Sequence, residues 1–158
     1  MRFLFSFFLL TVFLSACDDG RVYEKNHDFE NGHWLVNDTS GFAFAITDTL
    51  TKYNLYCNIR NTVAFPYSRL FVNYILEDSS GKMLQKKLVQ TFLFDRESGK
   101  PMGSSGLGDI YDHRLAVLNQ YAFPYSGKYR MRFEQYMRTD TLQGILAVGL
   151  RVEKSNPQ

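Results

Sequence analysis

An all-β fold, a single antiparallel β-sandwich of about seven to nine strands with jelly-roll or Ig-like connections, is what three features of this sequence predict. Apolar and polar residues alternate with period two through most of the chain from Trp34 to Val152. That spacing marks strands with one buried face. Short polar turns such as Asp78-Ser79-Ser80-Gly81 separate the runs, and such residues favour tight reversals. Aromatic residues make up 16% of the chain, and ring side chains suit a pleated, half-buried surface.

The chain opens on a leader rather than on a strand. Residues 1–16 hold one charge, Arg2, then an apolar run from Phe3 to Leu14 and a small-residue site, Leu14-Ser15-Ala16, before Cys17. This is the anatomy of a signal peptide, and the run is too short for a bilayer core, which takes roughly 20 residues. A cysteine directly after Leu-Ser-Ala matches the bacterial lipobox, so Cys17 is the expected lipidation site. Two or three acyl chains there, palmitate among them, anchor a protein far more firmly than one marginal chain. Residues 17–27 are polar and read as a short lipid-anchored tether, 28–154 as the sandwich domain and 155–158 as a polar tail. No later apolar run exceeds Ile145 to Leu150, which excludes a transmembrane helix from the sequence reading. The anchor points to the cell envelope, with the outer membrane as the expected site. Asp18 and Asp19, directly after the lipid site, mean inner-membrane retention in one bacterial sorting system and promote display on the cell surface in another, so they leave both the membrane and the facing side undecided.

Within the domain the strands follow in order. Phe42, Phe44 and Ile46 alternate with Ala43, Ala45 and Thr47. Tyr53, Leu55, Cys57 and Ile59 alternate with Asn54, Tyr56, Asn58 and Arg60. Leu70, Val72, Tyr74 and Leu76 form the next apolar face. Leu88 to Phe94 reads as a strand that is apolar on both faces apart from Gln90 and Thr91. From Gly127 to Arg138, Tyr129, Met131, Phe133, Gln135 and Met137 face one way, with Lys128, Arg130, Arg132, Glu134, Tyr136 and Arg138 on the other. Leu146, Val148, Leu150 and Val152 close the fold. Cys57 has no disulfide partner once Cys17 carries lipid, so it is expected as a small buried apolar residue. A Gly-rich stretch, Arg96 to Asp109, interrupts the pattern. The tetrapeptide Phe-Pro-Tyr-Ser occurs twice, at 65–68 and 123–126, each time just before a strand. Turn chemistry, with proline fixing φ and phenylalanine capping the core edge, is favoured over a pseudo-repeat pairing two halves of the sandwich, because repeats normally show longer self-similarity.

The chemistry-bearing residues do not assemble into a known catalytic pattern. Gly103 to Gly108 leads into no helix, as a phosphate cradle requires. Asp109, Asp112 and His113 fall short of a calcium or zinc ligand set, and His27 and His33 lack metalloprotease spacing. No nucleophile elbow is present. No metal and no cofactor are expected, and the formal net charge of +2 without a basic stripe gives no support to nucleic-acid binding. Tyr67, Asp109, Asp112, Tyr125 and Arg138 are the candidate interaction surface. Exposed Tyr56, Tyr67, Tyr125 and Tyr136 suit either the apolar anchors of a protein interface or a stacking row for a glycan. A hydrolase with a carboxylate pair is a third, more distant reading.

Several stretches together resemble one family. They are Tyr53-Asn54-Leu55-Tyr56, Ile59-Arg60-Asn61, Pro66-Tyr67-Ser68, Gly108-Asp109-Ile110, Phe123-Pro124, Gln135 to Arg138 and Gly144 to Lys154, following a lipobox and in this order. The set is similar to the gliding-motility lipoprotein GldH family of Bacteroidetes. The chain departs from the family pattern at Met102-Gly103, Tyr136 and Ala147, where Trp-Leu-Gly, Ala and Asp are the pattern's residues. The resemblance implies a non-enzymatic accessory lipoprotein linked to gliding and the type IX secretion apparatus, with other gliding and secretion envelope proteins as partners. It brings no catalytic residue and no cofactor. A glycan-binding envelope lipoprotein is the alternative. Thr49 and Thr141, each in an Asp-Thr-Leu triplet, match a short O-glycosylation pattern of exported Bacteroidetes proteins, and both are expected in turns between strands.

Overall fold

The alternation is realised as burial. In the computed structural model, which describes residues 20–155, β3 (Ser40–Ile46) buries Phe42, Phe44 and Ile46 and exposes Gly41, Ala43 and Ala45. β4 (Tyr53–Thr62) buries Tyr53, Leu55, Cys57 and Ile59, and β5 (Arg69–Asp78) buries Leu70, Val72, Tyr74 and Leu76. β9 (Gly127–Gln135) turns Tyr129, Met131, Phe133 and Gln135 inward, and β11 (Ile145–Lys154) adds Val148, Leu150 and Val152. Burying an aliphatic or aromatic side chain of this size stabilises by ~1.5–3 kcal/mol. A one-residue slip reverses every face, so the pattern fixes register as well as burial.

Eleven strands stand among the described residues, adding β1 (Arg21–Asp28), β2 (His33–Leu35), β6 (Met83–Phe92), β7 (Ser104–Ser105), β8 (Ile110–Tyr121) and β10 (Thr141–Gln143). Strands β2, β7 and β10 are two or three residues long, so the eight longer ones carry the sandwich. One sheet runs β1-β11-β4-β8-β7 and the other β3-β9-β5-β6, with β10-β2 as a small separate pair. Every pairing is antiparallel. One hydrophobic core draws on both large sheets. Trp34, fully buried, closes one end by stacking on Phe29 at 5.2 Å and donating Nε1–H to the Asp38 carbonyl at 2.8 Å. Gly144 sits beside it at φ +78, where a Cβ would fall 2.3 Å from the Phe65 nitrogen. Only glycine fits that approach.

Three boundaries and one whole strand differ from the sequence reading. Residues 21–27 are not tether: they form most of β1, which pairs with β11 from Arg21↔Glu153 to Asp28↔Ala147. Its side chains are nearly all exposed, so the strand is held by its backbone ladder and shows no apolar face. β6 begins at Met83 rather than Leu88, because its first half, Gln85-Lys86-Lys87, is polar on both faces. β8 was absent from the alternation because its pairing with β4 shifts twice, near Tyr53 and Leu55, which changes the phase of its apolar residues. β9 stops at Gln135, so Tyr136 to Arg138 belong to a loop. The leader, Cys17 and residues 156–158 lie outside the described residues.

Candidate functional site

The two Phe-Pro-Tyr-Ser copies do precede strands, β5 and β9, which are antiparallel neighbours. They therefore lie at opposite ends of one sheet. Both phenylalanines cap the core, Phe65 at 4% and Phe123 at 3% exposure. Their tyrosines have different tasks. The Tyr125 ring stacks on Tyr129 at 5.5 Å, and the Tyr129 hydroxyl donates to the Tyr125 carbonyl at 2.6 Å. The Tyr125 hydroxyl is directed at the Asp78 carboxylate, which raises Tyr125 to about 12. Asp78 also accepts from the Ser80 hydroxyl at 2.6 Å and the Ser80 and Lys82 amides, and this set, Ser80 first, holds it at about 2. The interaction ties Tyr125 to the β5–β6 turn, while 41% of its surface stays exposed at the end of the sheet away from Tyr67. Tyr67 touches Phe65 edge-on at 5.7 Å and keeps 44% of its surface exposed.

Tyr67 opens onto a groove of about 680 Å³ on the outer face of the four-stranded sheet, lined also by Phe71, Leu88, Tyr136, Met137 and Arg138. Phe71 comes from β5, where it breaks the polar outer face between buried Leu70 and Val72. Leu88 stands on β6 at 45% exposure. The remaining wall is built by Gln135. Its buried side chain donates Nε2–H to the Thr139 carbonyl at 2.8 Å and accepts the Met137 amide at 2.7 Å. The Tyr136 amide donates to the Phe71 carbonyl at 2.9 Å. The buried glutamine thereby shapes the loop that presents Tyr136, 61% exposed, with Met137 and Arg138.

Arginines rim this apolar floor. Arg69 lies 4.4 Å from the Phe92 ring centroid and donates to the Gln90 side-chain oxygen Oε1 at 3.1 Å. Arg96 lines an adjoining hollow with Pro66, Tyr67 and Phe71. Among the described residues, Arg69, Arg96 and Arg138 meet no carboxylate at ion-pair distance. Aromatic anchors beside uncompensated arginines are the composition of protein-binding hot spots.

The outer face of the five-stranded sheet is arranged differently. Arg60 and Asp112 form a cross-strand pair at 2.8 Å. Glu24 accepts from Asn58 at 2.9 Å and from Arg151 at 2.7 Å, and Arg151 also bonds Glu153. Arg114 lies over the half-buried Tyr56 ring at 5.6 Å. Asp112 and His113 are successive residues on β8, and the Ile59↔His113 register turns the imidazole inward, as alternation demands. Burial pushes its pKa down. Asp109 is exposed in the loop before β8. Of the five expected surface residues, only Tyr67 and Arg138 meet in one groove. No group of three His, Cys, Asp or Glu side chains among the described residues is placed to hold a metal. Cys57 is fully buried and free, its thiol pKa pushed up by burial. The missed wall residues, Phe71 and Leu88, carried one signal: apolar side chains out of phase on a polar face.

Of the two Asp-Thr-Leu triplets, the first lies in the β3–β4 turn. The Asp48 carboxylate accepts the Thr51 hydroxyl at 2.6 Å and the Leu50 amide at 3.0 Å, and Leu50 is 98% exposed. The second is not in a turn. Thr141 begins β10, paired with Leu35, and Leu142 is fully buried.

A protein-family model described as GldH lipoprotein matches residues 21–152 of this chain. The gliding motility lipoprotein GldH homolog of Christiangramia forsetii is 32% identical over 167 residues, covering 99% of each chain. The gliding motility lipoprotein GldH of Flavobacterium johnsoniae is 27% identical over 155 residues, 94% of each. Likeness to solved structures is loose. The VP2 subviral particle of infectious bursal disease virus aligns at TM-score 0.36 and 12% identity, over 83% of this chain and 30% of that one. Dimeric latent PorU from Porphyromonas gingivalis aligns at 0.34 and 10%, over 86% and 13%.

Proposed function

Because this chain belongs to the GldH lipoprotein family, we propose that it is a lipid-anchored, non-enzymatic accessory protein of the gliding and type IX secretion machinery. It sits at the outer membrane through Cys17 and works by holding an envelope partner in the groove of Tyr67, Phe71, Tyr136 and Arg138. The observation that carries the contact role is the gathering of exposed aromatic residues and of arginines that meet no carboxylate at one place. On the outer face of the five-stranded sheet, by contrast, Arg60 is paired with Asp112 and Arg151 with Glu24. The glycan alternative has less support, because the four tyrosines form no row: Tyr125 is tied to Asp78 and Tyr56 lies under Arg114. Thr49, half-buried in a turn whose Leu50 is almost wholly exposed, is the better O-glycan acceptor, since Thr141 is exposed but its backbone is held in β10.

Complementation of a deletion strain tests this. Tyr136→Ala and Arg138→Ala are expected to melt within about 0.5 kcal/mol of wild type, as exposed substitutions do, yet to lose gliding or secretion at matched protein levels. Cys17→Ser is expected to release a folded protein from the membrane and also to fail. Full complementation by the groove variants overturns the docking role, and full complementation by Cys17→Ser overturns the anchor's role.

A further inference from the structure

Strand β6 ends its sheet: the order is β3-β9-β5-β6, and no other described strand pairs with it. It is 10 residues long, and Gln85 to Leu88 are all exposed. Such an edge offers a row of unpaired N–H and C=O groups. Which groups point outward follows from one hydrogen bond. The Leu93 amide donates to the Ser68 carbonyl at 2.9 Å, in register with Arg69↔Phe92. Hydrogen-bonded pairs alternate along an antiparallel ladder, so residues 87, 89 and 91 bond β5. Lys86, Leu88 and Gln90 aim their amides away from the sheet. Their side chains share the outer face with the groove, and Leu88 is both edge residue and groove wall.

The charge on this edge selects what can pair with it. Lys86 and Lys87 lie at mid-strand, Lys82 just before it and Arg96 just after. A second copy of β6 would crowd four lysines together, and like charges across strands repel. We propose that an extended acidic segment of a partner protein adds to the free edge of β6 as a further strand. An apolar side chain beside Leu88 prolongs the groove's apolar floor, and its carboxylates meet Lys86 and the arginine rim. Backbone pairing gives affinity in this mode, and alternate side chains give specificity. The inference rests on the docking role proposed above and supplies its geometry and partner chemistry.

The probe is a fluorescein-labelled decapeptide alternating Glu with Val, with one central Phe, titrated against protein purified in detergent from its own cells. Controls are the same peptide with Lys for Glu and one N-methylated on alternate amides. Saturable binding of the Glu peptide is expected, with the Lys peptide inert and the N-methylated peptide weaker by about tenfold or more, since it lacks pairing donors. Lys86→Ala keeps the edge amide and loses one rim charge, for a weakening of about two- to fivefold. Lys86→Pro also removes the outward amide and is expected to weaken binding about tenfold further, without breaking the β5 ladder. Equal effects of Ala and Pro, equal binding of the Lys peptide, or no binding of the Glu peptide each overturn strand addition. So does displacement of the peptide by phosphatidylglycerol vesicles, which would make the basic edge a membrane surface. If strand addition fails while Tyr136→Ala still abolishes complementation, the groove keeps its docking role. If Tyr136→Ala complements fully, the docking role itself falls.

Discussion

Replacing Phe123 with alanine is expected to destabilise the fold more than the same change at Phe65, although the two share a tetrapeptide and a burial. Either truncation costs ~3–5 kcal/mol through lost transfer energy and a cavity. The difference lies in the neighbours. Phe123 meets four rings, at 4.6 Å (Tyr129), 4.9 Å (Tyr121), 5.5 Å (Tyr53) and 5.9 Å (Phe44). Phe65 meets two, Tyr67 at 5.7 Å and Phe94 at 6.4 Å. Each aromatic pair contributes about 0.5–1.5 kcal/mol beyond its area, so two further pairs separate the variants by about 1–3 kcal/mol. With a urea slope of about 1–3 kcal/mol/M, the midpoints should differ by about 1 M. Trp34, the one tryptophan, reports unfolding by fluorescence, and far-UV circular dichroism checks that the transition is two-state. Equal midpoints, or a lower one for Phe65→Ala, would refute the reasoning.

Gly149→Ala places a Cβ 1.9 Å from Asn26 Oδ1 and 2.9 Å from the Lys25 carbonyl oxygen. The amide can swing away but the carbonyl cannot, so the variant should lose about 1–3 kcal/mol and show faster amide exchange confined to β1; a wild-type exchange pattern counts against it. Tyr125→Phe should change the pH profile of stability. The Asp78 contribution is present above its ordinary 3.8 and fades as pH falls towards about 2. The Tyr125 contribution is full below its ordinary 10.0 and fades as pH rises through about 12. The gap between wild type and variant should therefore narrow at both extremes, and a pH-independent gap would contradict the shared hydrogen bond.

Where one face of a strand is buried, the sequence announces it, and β3, β4, β5 and β9 were legible for that reason. β1 and the first half of β6 were not, because edge strands are held by backbone bonds that no residue type records. β8 hid behind a change of phase. The site was partly legible for a related reason. Tyr67 stood out as an exposed aromatic residue and Arg138 as the cation ending a stretch that resembles the family, but Tyr125 stood out as an aromatic residue too, and Asp109 and Asp112 as acids close together in sequence. Only three dimensions show that Asp112 is spent on Arg60 and Tyr125 on Asp78. The part played by Gln135 was hidden more deeply. On the strand pattern it is one more inward position, yet its two side-chain bonds shape the loop that forms the groove wall.

The finding that β1 starts at Arg21 alters what the proposed anchor can do. Three residues separate Cys17 from the fold, and an extended chain spans at most ~3.3–3.6 Å per residue. The lipidated protein is then held within about 14 Å of the bilayer at the end where Arg21 pairs with Glu153. Tyr53 and Gly127, which open β4 and β9, share that end. The groove lies at the other, before β5 and after β9, so the anchor keeps Tyr125 near the membrane and displays Tyr136 and Arg138 away from it. A longer tether should therefore matter even though it touches neither fold nor groove. Inserting about 20 Gly/Ser residues between Asp19 and Gly20 lowers the effective concentration of the groove near a membrane-bound partner, roughly as the −3/2 power of linker length. The variant should melt like wild type and complement poorly. Full complementation would mean that the anchor only localises the protein and that its height above the membrane is irrelevant.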